Sequence, residues 1–141
     1  MALQERLGEI LEDVLPVTRE DDGAVTVHHD ETFASLRTVP IAEGLELVSL
    51  TQILAWDLPL DAKLRAAVAE HAHNTLLGTV SLAAKSGPKE VAAGAKRNSK
   101  KAADVLLRYN FPAAGLTDDA LRTLILMVLA TGAEVRRALL G

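Results

Sequence analysis

The pattern of apolar and polar residues predicts three helices and five strands in the order α-β-β-β-α-β-β-α. Residues 2–15 have apolar side chains at helical spacing and end before Pro16, which cannot continue a helix. Three runs typical of strands follow, at 24–29, 33–39 and 45–56. Because the turns between them are too short for parallel crossovers, we expect these strands to form an antiparallel meander.

The second half of the chain returns to a helix and then to strands. A helix is predicted over residues 61–77, with Asp61 as its N-cap and Gly78 in the left-handed position past its end. Strands over 79–83 and 103–111 complete the sheet. The predicted fold class is therefore α+β, a two-layer sandwich with a five-stranded, mainly antiparallel sheet.

Two segments contain more apolar residues than one covered face requires. The strand over 45–56 is apolar on both faces, which is typical of a central strand covered on each side. The last helix begins at Thr117, a good N-cap followed by two acids, and has no polar side chain over residues 124–130. We expect that helix to pack on the sheet and also on either another helix or a second copy of itself.

The 141-residue length predicts a single domain over residues 1–141. Residues 85–101 are the least patterned part of the chain, and we interpret them as a flexible hairpin loop between the last two strands. The loop is strongly basic, since Glu90 is its one acid. Its basic residues are Lys85, Lys89, Lys96, Arg97, Lys100 and Lys101.

Composition excludes several classes of function. One Trp, one Tyr and two Phe are few for a protein that stacks nucleic-acid bases or sugars on aromatic rings. The absence of cysteine excludes disulfides and thiolate chemistry. No apolar run approaches the roughly 20 residues of a membrane span, and the first residues do not resemble a secretory signal. We therefore expect a soluble, cytoplasmic protein without membrane contact.

Charge is distributed unevenly along the chain. Residues 1–84 contain 14 acidic and 5 basic side chains, whereas residues 85–141 contain 5 acidic and 10 basic ones. The two regions could attract each other between protomers or steer a charged partner, or they could be solvated faces of one globule. The basic loop could bind phosphates, but it has no interleaved aromatic residues and the pI is acidic, so nucleic-acid binding is unlikely on sequence grounds.

No motif indicates catalysis, a cofactor or a metal. His28 and His29 are neighbours on a predicted strand, and His71 and His73 are two apart on a helix, so neither pair can chelate within one element. The acids at 20–22 and 30–31 lack the spacing of a calcium loop, and no nucleophile elbow or phosphate loop is present. The sequence predicts a protein that is not an enzyme and holds no cofactor or metal.

Three segments resemble the superfamily of type III secretion chaperone-like folds. They are Leu54–Pro59, Asn74–Leu82 and Val105–Leu116. Within that superfamily the chain is most similar to the YbjN-type proteins and their bacterial relatives among the actinobacterial peptide-binding chaperones. In that pattern a strand ends near a proline, a helix ends at an Asn before a small-residue strand, and a Gly-Leu turn leads into the last helix. The basic loop over residues 85–101 is not part of that family pattern.

The resemblance implies a small sandwich that is commonly dimeric, holds an extended protein or peptide client on apolar grooves, and has no catalytic residues to carry over. The predicted sheet edges and apolar helices offer such surfaces independently. Trp56, Met127 and Leu129 are the candidate partner-binding residues, although residues of these types are more often plain core than contact residues. Two alternatives remain: a small-ligand or enzymatic site between sheet and helix near His71 or His73, and a structural subunit of a larger complex.

Overall fold

A computed structural model describes residues 2–85 and 101–141 of the chain. The hairpin loop predicted over 85–101 lies outside the described residues, except for Lys85 and Lys101 at its two ends.

The structure contains three helices and six strands in its described part. The helices are α1 (Leu3–Glu12), α2 (Ala62–Asn74) and α3 (Asp118–Leu140). The strands are β1 (Val17–Arg19), β2 (Val25–His29), β3 (Thr32–Ala42), β4 (Leu45–Pro59), β5 (Thr79–Lys85) and β6 (Ala102–Pro112).

All six strands form one antiparallel sheet in the order β1-β2-β3-β4-β6-β5. The predicted α+β class and the antiparallel meander are confirmed, but the predicted count of five strands is wrong. The additional strand is β1, which spans three residues directly after Pro16. A run that short has no measurable period, and β1 exists because Val17, Thr18 and Arg19 pair with β2.

The core lies between one face of the sheet and a layer formed by the three helices. α3 contacts β2, β3 and β4, while α1 and α2 flank it on either side. The sheet side chains beneath these helices include Val27, Leu36, Leu50 and Leu107, all fully buried. Among the elements that the structure describes, none covers the opposite face, although the sequence predicts cover on both faces of β4. We call this opposite face the open face.

The predicted helix caps are confirmed, but the end of α2 differs from the prediction. Asp61 accepts a hydrogen bond from the Leu64 backbone at 2.8 Å, and Thr117 accepts one from the Ala120 backbone at 3.1 Å. α2 ends at Asn74 because the next residue, Thr75, is already extended. Gly78 is left-handed as predicted, but it lies in the turn before β5, where a Cβ would be 2.8 Å from Leu107.

Polar contacts fix the position of α3 on the sheet. The buried side chain of Gln52 donates from Nε2 to the Leu129 carbonyl at 3.1 Å and to Thr32 Oγ1 at 2.9 Å. Arg136 donates to the Leu54 carbonyl at 2.7 Å. The apolar helix is therefore placed by specific hydrogen bonds as well as by packing.

The acidic first part and the basic second part of the chain meet within one molecule. Arg136 lies 3.3 Å from Glu31, and Arg137 lies 3.6 Å from Asp30. Lys85 lies 2.7 Å from Asp57. Part of the charge asymmetry in the sequence is therefore used to join α3 and β5 to earlier strands.

Across the described ranges, no helix has the combination of length and apolar character that a membrane span needs.

Candidate protein-interaction surface

The open face carries alternating apolar and polar rows that run across the strands. One apolar row contains Phe33, Ile53 and Leu106, which are aligned by the register of β3, β4 and β6, with His28 and Ser81 at its ends. The neighbouring row is polar and consists of Thr26, Ser35, Thr51, Arg108 and Thr79. Beyond it, a row of Arg37, Ser49 and Asn110 is followed by one of Val39, Leu47 and Pro112. This pattern offers apolar contact beside hydrogen-bonding groups.

Phe33 is the most exposed apolar side chain of this row. Its side chain is 42% exposed, and its ring packs edge-on against the His28 ring with centroids 4.2 Å apart. Ile53 and Leu106 beside it are half-buried by their neighbours. An exposed aromatic ring that its neighbours hold in place is suited to contact with another polypeptide, because little side-chain entropy is lost on binding.

Trp56 lies three positions beyond Ile53, near the end of β4. Two register shifts occur between Ile53 and Leu58, and Asp57 adopts a left-handed conformation with φ of 54°. The Trp56 side chain is 55% exposed, and the Lys85 ammonium lies 5.5 Å from its ring centroid. Trp56, one of the candidate partner-binding residues, is therefore accessible from solvent.

Charged groups hold the surroundings of Trp56 in place. Lys85 lies 2.7 Å from Asp57 and 3.1 Å from the nearly buried Asp104, whose Oδ1 also accepts the Asp57 backbone N–H at 3.0 Å. Hydrogen bonds to Asp57 and then to Asp104 raise the pKa of Lys85 above its ordinary value. Lys85 therefore offsets part of the negative charge of Asp57 and Asp104 at this corner of the open face.

The two edges of the sheet differ. β1 is a three-residue strand at one edge, whereas β5 is a seven-residue strand at the other. β5 pairs with β6 along its whole length without a register shift. In the part of the chain that the structure describes, no strand pairs with its outer side.

The other two candidate residues lie on α3. Met127 is 52% exposed on the outer side of the helix, so it is available for contact. Leu129 is fully buried and belongs to the core, and its carbonyl accepts the hydrogen bond from Gln52. Leu129 is therefore buried, whereas Trp56 and Met127 are exposed. Trp56 lies on the sheet and Met127 on the helix layer, so the two do not form one surface.

His71 lines two open clefts between α2 and the end of α3. The first, with a volume of about 420 Å³, is also lined by Asp61, Lys63 and Leu139. The second contains Thr75 and Glu134. His73 is exposed and lines neither cleft. Over the described ranges, no group of three or more His, Asp or Glu side chains is arranged to hold a metal ion.

Sequence reasoning missed Phe33, Ile53 and Leu106 as surface residues. The predicted strands contain Phe33, Ile53 and Leu106, in agreement with the structure. A predicted strand does not reveal which of its faces is covered. The one signal of exposure in the sequence is that both faces of β4 are apolar. This pattern predicts that elements cover both faces. An exposed apolar face gives the same pattern.

No family model matches this sequence, and no curated protein matches it. Its fold is similar to a solved structure described as "YbjN, a putative transcription regulator from E. coli", with a TM-score of 0.58. The match covers 94% of this chain and 87% of the other at 10% sequence identity. The likeness supports the predicted YbjN-like fold, and at this identity it shows the fold alone.

Proposed function

We propose that this protein is a non-enzymatic peptide- or protein-binding module of chaperone type, which acts as a homodimer in the cytoplasm. It holds an extended client segment on its apolar surfaces and sheet edges. The observation that carries the proposal is the open face, where Phe33 and Trp56 present large exposed rings on a rigid sheet.

The chemistry of the open face fits an extended polypeptide. Its apolar rows match apolar client side chains, and the hydroxyl row beside Phe33 can hydrogen-bond to a client backbone. Exposed apolar residues that cluster on one face are typical of interaction sites, whereas scattered ones are not. Removal of a central aromatic group should therefore weaken binding more than removal of an apolar group elsewhere.

The test uses reduced, carboxymethylated α-lactalbumin as an unfolded probe, labelled and followed by fluorescence anisotropy. Phe33→Thr should weaken binding by about tenfold or more, since it removes a ring at the centre of the surface. Val14→Thr is the matched control, because Val14 is also 42% exposed but lies outside the sheet. Absence of binding by the unsubstituted protein, or equal affinity in Phe33→Thr, would refute the proposal.

A second candidate function is small-ligand binding at the cleft of His71, because this cleft combines Asp61, Lys63 and His71 with apolar residues of α3. Saturation-transfer NMR with a metabolite collection tests it. A compound that binds the unsubstituted protein but not His71→Ala, without loss of probe binding in that variant, would favour this function.

Nucleic-acid binding is a further alternative, because the structurally similar YbjN is described as a putative transcription regulator. In the described part of the open face, acids such as Asp104 and Asp22 lie beside Lys85 and Arg37, so the face has no strongly basic stripe. We expect no gel shift with random duplex or single-stranded DNA at low salt. A shift that disappears with rising salt would support this alternative instead.

A further inference from the structure

The polar row of the open face contains one guanidinium group, that of Arg108. This residue lies on β6, opposite Thr51 of β4 and Thr79 of β5. Its side chain is exposed, and it forms no ion pair with any residue that the structure describes. Because the hydroxyl groups on either side are uncharged, they leave the positive charge of Arg108 in place.

Two acids that share the row or the strand of Arg108 are too distant to neutralise it. Glu20 lies at the other end of the row, where it accepts a hydrogen bond from Thr26 at 3.0 Å. Thr26 is three strands away from Arg108, which corresponds to about 14 Å. Asp104 is four positions away along β6, about 13 Å, and lies 3.1 Å from Lys85. Both separations exceed the Debye length of about 8 Å at physiological ionic strength.

The surroundings of Arg108 fit a carboxylate. Arg108, Thr79 and Asn110 line a shallow, open depression, together with Gly78 and Tyr109. A guanidinium group can donate two parallel hydrogen bonds to one carboxylate, and such charge-assisted bonds are stronger than neutral ones. The hydroxyl of Thr79 and the amide of Asn110 are further donors beside it. The depression therefore favours an acidic side chain from outside over a basic one.

The spacing of the rows on the open face matches the spacing of side chains in an extended client. Four successive rows cross β4 at Ile53, Thr51, Ser49 and Leu47, and no register shift interrupts β3, β4 and β6 over this range. Alternate residues of any strand lie about 6.6–6.8 Å apart. Strands in stacked sheets run within about 30° of each other. A client strand that lies along β4 therefore places one side chain on each row.

We propose that the open face binds client segments in which an acidic residue stands two positions from an apolar one, and that Arg108 recognises the acid. The client side chains that face the four rows are then apolar, acidic, polar and apolar, in either chain direction. The outer two contact the rows of Phe33 and Val39. In the third row Arg37 is already paired with Asp22 at 3.2 Å, which favours an uncharged polar residue there. This inference rests on the proposed function and names the chemistry of its client.

Labelled synthetic peptides test the proposal by fluorescence anisotropy. In the glutamate peptide, leucine, glutamate, serine and leucine occupy alternate positions, and in the lysine peptide a lysine replaces the glutamate. Both are also made in the reverse order, because the client can run in either direction. In one of the two directions, the unsubstituted protein should bind the glutamate peptide at least about fivefold more tightly than the lysine peptide at low ionic strength. The preference should shrink as salt is added.

Arg108→Glu should reverse the preference, so that the lysine peptide binds more tightly, and this gain of binding also shows that the variant is folded. Arg108→Gln should abolish the preference without reversing it. Arg65→Glu is the matched control, because it makes the same change of charge at an exposed residue of α2, outside the sheet. If Arg108→Glu still prefers the glutamate peptide, or if Arg65→Glu loses the preference equally, the inference is wrong.

Two further measurements separate this inference from other occupants of the face and from the proposed function. Sedimentation velocity should give the same state of association for Arg108→Glu, Phe33→Thr and the unsubstituted protein. Dissociation of a dimer by both substitutions would mean that a second copy covers the open face, which overturns the inference. Binding of α-lactalbumin that depends on Phe33, without any preference for the glutamate peptide, refutes the inference alone. Absence of binding to every probe refutes it together with the proposed function.

Discussion

At the scale of single residues, Gln52 of β4 and Gly132 of α3 lie against each other in the core. Gln52 is fully buried in the middle of β4 and is hydrogen-bonded to Thr32 and to the backbone of α3. Gly132 of α3 lies against its amide, and a Cβ at that position would overlap Gln52 Oε1. The glycine lets α3 come close enough to receive the hydrogen bond.

Gly132→Ala should destabilise the protein by about 2–3 kcal/mol, because Gln52 must move and lose its hydrogen bonds. In an exposed helix the same change would stabilise by about 1 kcal/mol, since alanine is the better helix former. Urea unfolding followed by circular dichroism therefore distinguishes the two by the sign of the change. A more stable Gly132→Ala variant would show that the contact is looser than the structure indicates.

Lys85 gives the protein a stability contribution that depends on pH. Its pKa is raised above the ordinary 10.5 by Asp57 and Asp104, so the folded state holds the proton more tightly than the unfolded state. That contribution is complete below pH 10.5 and is lost as the pH rises through the raised pKa.

Lys85→Met should consequently lower the urea midpoint at pH 7, and the difference from the unsubstituted protein should shrink above pH 10.5. Lys63→Met is the control, because Lys63 forms no ion pair with any described residue. A difference that stays constant into the alkaline range would assign the effect of Lys85→Met to its packing on Trp56.

At the scale of elements, the β2–β3 hairpin and α3 stabilise each other. Asp30 and Glu31 form the tight turn with φ of 44° and 65°, a conformation usually occupied by Asn-Gly. Their carboxylates face Arg137 and Arg136 on the last turns of α3. Acidic residues at this turn are explained by the helix that packs beside it.

Arg136 and Arg137 should contribute differently to this docking. Arg136→Met should cost about 1–2 kcal/mol, because the half-buried guanidinium donates to the Leu54 carbonyl. Arg137→Met should change stability by less than about 0.5 kcal/mol, since its pair with Asp30 is exposed. Urea unfolding of the two variants at one ionic strength measures both. Equal losses would mean that the Leu54 contact contributes nothing.

At the scale of the whole molecule, the helices cover one face of the sheet. They leave the open face and the β5 edge of the sheet uncovered. The open face displays Phe33 and Trp56, while the β5 edge lies to one side of them. A client on the open face would therefore meet the side chains of the sheet and would not displace the helices.

The sequence alone determined the α+β class, the antiparallel order of the meander, and both helix caps, because periodicity and capping depend on residues close in the chain. It did not decide which of the three candidate contact residues are exposed: the structure exposes Trp56 and Met127 and buries Leu129. Leu129 is buried where α3 packs on the sheet, and its carbonyl accepts a hydrogen bond from Gln52 of β4, which lies 77 positions away in the chain. No local pattern contains that information.

Only the tertiary structure decided the existence of β1, the exposure of Phe33, and the meeting of the acidic and basic parts of the chain. A three-residue strand forms because a partner strand is present, and apolar residues on both faces of β4 are compatible with two covers or with one. Which face is covered depends on where three helices dock, and docking is determined by contacts between distant parts of the chain.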